Sequence, residues 1–231
     1  MKIIFLNAWN GKVRSQIKDF ITIHALDTDV FCFQEAYDEM RDLCLPILEE
    51  FQLVKDYKYV KEGEDFTQAT YIKNTLTLVS SSTLLKDLPN VGLGLHTELE
   101  VDGKPVYLCN FHGISKPGKK TDTAKRLEQS QSMLAFYENI NGPKIIGGDF
   151  NLELDTESIS MFEKQGYRNL IKDFGIKNTR NRFVWDKYPE SKQYYSDYVL
   201  VSPEIDVNKF LMPEVEISDH QPMILDFNLK I

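Results

Sequence analysis

Runs of apolar residues, many of them β-branched or aromatic, recur along the whole chain and predict strands at 3–6, 30–34, 51–60, 69–79, 94–101, 106–111, 144–147, 198–202 and 223–229. Between some of these runs the apolar period lengthens. Val13, Ile17, Phe20, Ile21 and His24 fall at helical spacing and mark the apolar face of a helix. A second helix is predicted over 123–140, capped by Thr121 or Thr123, with Leu127, Leu134 and Tyr137 on one side. A third covers 37–51 and is interrupted at Pro46, which lacks the amide proton a helix interior needs. Strands alternate with helices early in the chain, whereas the middle is a succession of strands. That order predicts two packed sheets with helices on their outer faces.

Composition narrows the picture. With 231 residues, 42% hydrophobic and 27% charged, the chain is expected to fold as one domain, 1–231, by core burial alone. No repeat, low-complexity tract or Pro/Ser-rich linker divides it. Cys32, Cys44 and Cys109 form no CxxC pair, and two of them lie in strongly apolar runs, so buried thiols in a reducing compartment are expected rather than zinc ligands. Asn7 ends the first apolar run too early for a signal peptide or a membrane span. A cytoplasmic monomer with no membrane partner is the expectation. The formal charge of −8 argues against non-specific nucleic-acid binding, which rests on Lys and Arg neutralising phosphates.

Nearly every predicted strand ends in a polar cluster rather than fading into a turn. Asn7 closes the first, Gln34-Glu35 the second, and His112 follows Asn110-Phe111. Gly148-Asp149-Phe150-Asn151 follows Ile145-Ile146, Asp197 opens the run 198–202, and Ser218-Asp219-His220-Gln221-Pro222 precedes the last strand. Gathered at one edge of a sandwich, these clusters would make a single acidic cleft. Hard divalent cations take oxygen ligands, a need that Glu35, Asp219 and the Asn7 amide can meet. Phosphoryl chemistry also needs a group to orient or deprotonate water and others to balance the growing negative charge. Asp149, Asn151, His112 and His220 are of those types.

In this order, from Asn7 to Pro222, the motifs resemble the endonuclease/exonuclease/phosphatase superfamily, which includes DNase I-like nucleases, AP endonucleases, sphingomyelinases and inositol polyphosphate phosphatases. The resemblance implies an α+β fold, a four-layer αββα sandwich of two mixed β-sheets flanked by helices. It implies that Glu35, helped by Asn7 and Asp219, holds Mg2+ or Mn2+, that Asp149 positions or deprotonates the attacking water, and that Asn151 holds the water or the phosphate. It pairs Asp197 with His220, the carboxylate fixing the imidazole's tautomer, and makes His112 a second imidazole of the site, as in the DNase I-like and sphingomyelinase-like branches. Two stretches depart from the family pattern. Asn7-Ala8-Trp9-Asn10-Gly11 is one residue longer to its glycine than in many nucleases, and Tyr195-Ser196 stands where Arg-Ile or Arg-Leu is common.

Each residue alone has a plainer role open to it. Gln34-Glu35 could open the helix at 37, Asp149 and Asn151 could form a turn after Gly147-Gly148, and Asp219-His220 could be a surface turn. Their joint occurrence in order favours the cleft. His24 and His96 lack such company and are assigned to packing; Trp9 is expected to pack beneath the site, the alternative being an exposed ring that stacks on a base. Two basic segments are candidates for a phosphate-attracting rim or for solvated loops: Lys116, Lys119, Lys120, Lys125 and Arg126, then Lys177, Arg180, Arg182, Lys187 and Lys192 around Phe183, Trp185, Tyr194 and Tyr195. Lys116, Arg180, Arg182 and Trp185 are the candidate substrate contacts. The function these readings imply is a metal-dependent phosphodiesterase acting on a phosphodiester, with nucleic acid as the leading substrate. A small-molecule or lipid-headgroup phosphoesterase and a non-catalytic binding module of the same fold are the alternatives.

Overall fold

The strand β1 (Lys2–Asn7) buries every residue after Lys2, so it needs cover on both faces. In the computed structural model, which describes residues 1–61 and 64–230, it is the third strand of a six-stranded sheet. Among the described residues the strands are β1, β2 (Val30–Gln34), β3 (Phe51–Lys61), β4 (Glu64–Lys73), β5 (Thr77–Leu84), β6 (Leu93–Val101), β7 (Lys104–His112), β8 (Lys144–Asp149), β9 (Arg168–Asn169), β10 (Asp197–Val201), β11 (Ile205–Leu211) and β12 (Met223–Leu229). One sheet runs β11-β12-β1-β2-β4-β3 and the other β5-β6-β7-β8-β10-β9. Each is mixed: β1 pairs parallel with β2 and β7 parallel with β8, and the remaining neighbours are antiparallel.

Helices close the outer faces. On the first sheet, α1 (Arg14–Ala25) and α2 (Asp38–Cys44) bury Ile17, Phe20, Ile21, Met40 and Leu43 against Ile4, Leu6, Phe31 and Phe33. On the second, α3 (Ala124–Glu138) and α4 (Glu157–Lys164) bring Met133, Tyr137, Ile159 and Phe162 into the core that also holds Ile3, Phe5, Cys32, Cys109 and Ile146. The four-layer αββα expectation is met. Short helices α5 (Leu170–Asp173) and α6 (Arg182–Trp185) follow. No helix among the described residues is long and apolar enough to cross a membrane.

Several predicted boundaries move. The run 69–79 is two strands of different sheets: β4 ends at Lys73, and the chain turns, with the Leu76 amide donating to Lys73 O (2.9 Å), before β5 begins at Thr77. Apolar residues on both sides of Asn74 hid that crossover. The helix expected over 37–51 ends at Cys44, before Pro46, and β9, β11 and α4 were not predicted. Thr123 does cap α3, accepting from the Arg126 amide at 3.2 Å. The three cysteines are buried and unbridged. His96 is buried with Nδ1 2.9 Å from the Tyr137 hydroxyl, and burial pushes its imidazole down to about 4. His24 packs on Phe20, ring centroids 4.4 Å apart.

Candidate active site

All the polar strand ends foreseen from the sequence lie on one side of the sandwich. Asn7 and Gln34 are register partners at the ends of β1 and β2, and Glu35 follows at once. In the second sheet His112 pairs with Asp149, and Asp149 with Asp197, at the ends of β7, β8 and β10. Asp149, open to a reading as a turn former after Gly147-Gly148, ends strand β8, to which both glycines belong. A Cβ on Gly147 would stand 2.6 Å from the Phe5 ring of the facing sheet, and Gly148 has φ 137°. Glycine here lets the two sheets approach closely.

Asp149 is the meeting point. Its Oδ1 accepts from the Ser196 hydroxyl (2.5 Å) and the Asn151 amide (2.9 Å). Its Oδ2 accepts from Asn7 Nδ2 at 3.0 Å and stands 3.6 Å from His220 Nε2 and 3.7 Å from His112 Nε2. Burial alone would raise this carboxyl, but His220, Lys120, His112 and Arg180 together outweigh it and hold Asp149 below the usual carboxylate range. Asn7 Nδ2 also donates to Glu35 Oε1 (3.1 Å), so one amide links the two carboxylates and the two sheets.

The pair Asp197 and His220 is formed. Nδ1 of the buried imidazole lies 2.8 Å from Asp197 Oδ1, so Nε2 is the nitrogen that faces Asp149. Burial and Arg180 push His220 down, but Asp197, Asp149 and Asp219 outweigh them, and the imidazole is raised above its ordinary value. The Thr179 hydroxyl donates to Asp197 Oδ2 (2.7 Å) and accepts from the Ser196 amide (2.9 Å). Ser218 donates to Asn7 O (2.7 Å), tying the segment before β12 to the end of β1. One donor atom each of Asp149, Asp197 and His220 lie within 4.8 Å of one another. His112 is placed differently: it sits edge-on to Phe66 at 5.0 Å, and its Nδ1 is buried with no hydrogen-bond partner among the described residues.

Asn151 is committed to the protein. Nδ2 donates to Gly113 O (2.9 Å) and Oδ1 accepts from Lys120. Asp219 Oδ2 is held by Arg180 Nη2 at 2.8 Å. Asn7 Oδ1 accepts from the Trp9 amide at 3.1 Å. The candidate rim is mostly occupied by such pairings: Arg182 is paired with Glu216, Trp185 Nε1 donates to Gln193 O (2.9 Å), and Lys116 is exposed on the loop after β7. Lys120, Arg126 and Arg180 are not rim residues at all, since all three are buried. Trp9 is half-buried, 6.0 Å from the Phe183 ring, with Lys12 Nζ 4.5 Å over its face, and Asn10 donates to Glu39 (2.9 Å).

Sequence reasoning missed Thr179 and Ser196 as parts of the site. Ser196 carried a signal, the departure before Asp197; Thr179 carried none, because its side-chain partners, Ser196 and Asp197, are seventeen and eighteen positions downstream.

The model of the Endonuclease/Exonuclease/phosphatase family matches residues 5–220. UPF0294 protein VV2535 of Vibrio vulnificus (strain YJ016) is 24% identical over 137 residues, 59% of this chain and 44% of that protein, so the match spans less than half of the relative's length. Among solved structures, mannosyl-6-phosphatase from Bacteroides thetaiotaomicron VPI-5482 superposes with a TM-score of 0.78 at 17% identity, over 99% of this chain and 100% of that one. TDP2 of D. rerio, complexed with a single-strand DNA product, superposes with a TM-score of 0.74 at 14% identity, over 99% and 98% of the two chains. At these identities the likeness establishes the fold.

Proposed function

Because the chain belongs to the endonuclease/exonuclease/phosphatase family, a family of phosphoesterases, we propose that it is a divalent-metal-dependent phosphodiesterase that hydrolyses its substrate by in-line attack of water. One observation carries the reading: Asn7 Nδ2, His112 Nε2 and His220 Nε2 converge on a single oxygen, Asp149 Oδ2, from both sheets. An ionised carboxylate oxygen facing a cleft can accept a proton from water as it attacks. The other oxygen, held by Ser196 and Asn151, fixes its direction. His220, its imidazole raised above its ordinary value by the carboxylates around it, offers Nε2 to the negative charge that grows on the phosphoryl oxygens.

Glu35, Asp219 and Asn7 offer oxygen donors to a cation, the set that suits Mg2+ or Mn2+. Glu35 is half-buried, and among the described residues its carboxylate bonds only Asn7; Asp219 keeps Oδ1 outside its ion pair with Arg180. Glu35, Asp219 and the Asn7 side-chain amide would hold the ion. Bound there, it would polarise a non-bridging oxygen and steady the leaving oxygen.

A nucleic-acid strand is the leading substrate, a reading supported by the fold shared with TDP2 in complex with a single-strand DNA product. A second reading, a small phosphoester, is favoured by the two arginines, since Arg180 is buried in its pair with Asp219 and the exposed Arg182 is paired with Glu216. The two are separated by assaying the purified chain on DNA, RNA, bis-p-nitrophenyl phosphate and a sugar 6-phosphate, with Mg2+ or Mn2+ and with EDTA. Cleavage of DNA or RNA supports the first, and cleavage of the sugar phosphate alone supports the second. No hydrolysis under any metal would remove both. Asp149→Asn is expected to lower turnover by roughly 10²–10⁴-fold with the circular dichroism spectrum unchanged, and a wild-type rate in that variant would contradict the assignment.

A further inference from the structure

Lys120 belongs to a basic segment that the sequence offers as a phosphate-attracting rim, yet its side chain is 6% exposed and turned inward. Its ammonium donates to Asn151 Oδ1 and to the Ser196 hydroxyl, the latter at 2.7 Å. Ser196 in turn donates to Asp149 Oδ1 at 2.5 Å. A short chain, Lys120 to Ser196 to Asp149, therefore ends on the oxygen that faces away from the two imidazoles. Taking an ammonium out of water is costly unless it is well hydrogen-bonded, so a buried lysine needs a reason.

Anchoring the loop is not that reason. The loop between β7 and α3 is already held by Arg126, fully buried in α3, whose guanidinium donates to the carbonyls of Lys119 (2.5 Å), Thr121 (2.6 Å), Pro117 (2.9 Å) and Ser115 (3.2 Å). The charged groups around the ammonium are Asp149, Asp197, Arg180 and Arg126, and burial pushes Lys120 down to about 8.

We propose that Lys120, acting through Ser196, is a positioning residue that holds the Asp149 carboxylate with Oδ1 turned into the protein and Oδ2 turned to the cleft. The proposal rests on the reading of Asp149 as the water-directing group. By bonding Asn151 as well, Lys120 fixes the two polar residues of the Asp149-Phe150-Asn151 turn from behind with one cation. A carboxylate free to rotate would present either oxygen in several directions, and a small misplacement of a reacting group is enough to slow the chemical step.

The test combines kinetics with crystallography on Lys120→Met, Ser196→Ala and the double variant. Both single variants are expected to lower kcat by roughly 10–100-fold with KM little changed. The double variant should be no slower than Lys120→Met, because the two residues act along one path. Crystal structures of the folded variants should show the Asp149 carboxylate rotated from its wild-type direction. Unchanged kcat, effects that multiply, or an Asp149 that keeps its direction in both variants would overturn the proposal. Ser196→Ala leaves the bond from Lys120 to Asn151 intact, so it decides alone if Lys120→Met does not fold. Should the wild-type chain cleave no phosphoester, the functional reading fails, and the direction of Asp149 in the variant crystals still decides the role of Lys120.

Discussion

Four non-glycine residues of the cleft and its rim hold left-handed backbones: Trp9 (φ 48°), Asn10 (φ 49°), Glu35 (φ 52°) and Asn151 (φ 55°). Each such residue costs about 1–3 kcal/mol and persists only where its surroundings hold it. Here they do: the Asn10 amide donates to Glu35 O (3.1 Å), and the Asn151 amide donates to Ser196 O (3.1 Å) as well as to Asp149. The effect is to stop a strand abruptly and turn the next polar side chain into the cleft. Asp197 works at the same scale, through a single ring. Its carboxylate is one of three that raise His220 against burial and Arg180, so Asp197→Asn should lower the imidazole's pKa and cost about 10²-fold or more in kcat. A histidine raised in the folded state lends stability that is full below its unfolded value near 6.5 and is lost as pH rises through the folded value. That contribution should shrink in the variant. NMR titration of the His220 ring in metal-free protein measures the shift, and an unmoved midpoint would count against the pairing.

At the level of strands and helices, the glycine pair in β8 sets how closely the sheets pack. Gly147→Ala places a methyl 2.6 to 2.8 Å from three atoms of the Phe5 ring, with buried neighbours on every side. Overpacking of this kind is expected to cost roughly 1–3 kcal/mol, and a lower urea midpoint at constant m-value checks it. The same pair shows why the chain was only partly legible. Central strands β2 and β10 are buried at every position, so they stand out as continuous apolar runs. Edge strands β5 and β11 are largely exposed, and β11 passed unrecognised. The inner face of α3 was obscured for another reason: Arg126, Gln129 and Ser130 are buried there, because Arg126 serves loop carbonyls and Gln129 Oε1 accepts from the amides of Gly92 (3.1 Å) and Ile114 (3.2 Å). A helical period of apolar residues cannot reveal a buried polar face. The strand-end residues of the site were legible because motif order marks them. Lys120 was not, since nothing in a run of basic residues tells which one points inward.

Across the whole molecule the site is divided between the sheets. Asn7 ends β1, Glu35 follows β2 and Asp219 lies in the segment entering β12, all of the first sheet, whereas His112, Asp149 and Asp197 are terminal residues of strands of the second. The proposed cation ligands and the proposed water-directing group therefore sit on opposite layers, joined through the Asn7 amide. This separation makes the metal assignment testable by stability rather than by rate. A ligand that binds only the folded state at a hundredfold excess over its Kd adds about 2.7 kcal/mol, which for a chain of this length is a rise in Tm of roughly 5–10 °C. Saturating Mn2+ or Mg2+ should produce such a rise in the wild-type chain, and EDTA should reverse it. Glu35→Gln should abolish the rise, because it removes the ligating carboxylate. Asp149→Asn should retain most of it if, as proposed, the ligands all belong to the first sheet. If Asp149→Asn instead loses the shift while Glu35→Gln keeps it, the ion lies among Asp149, Asp197 and His220, and the division of labour between the sheets is the reverse of the one drawn from these side chains.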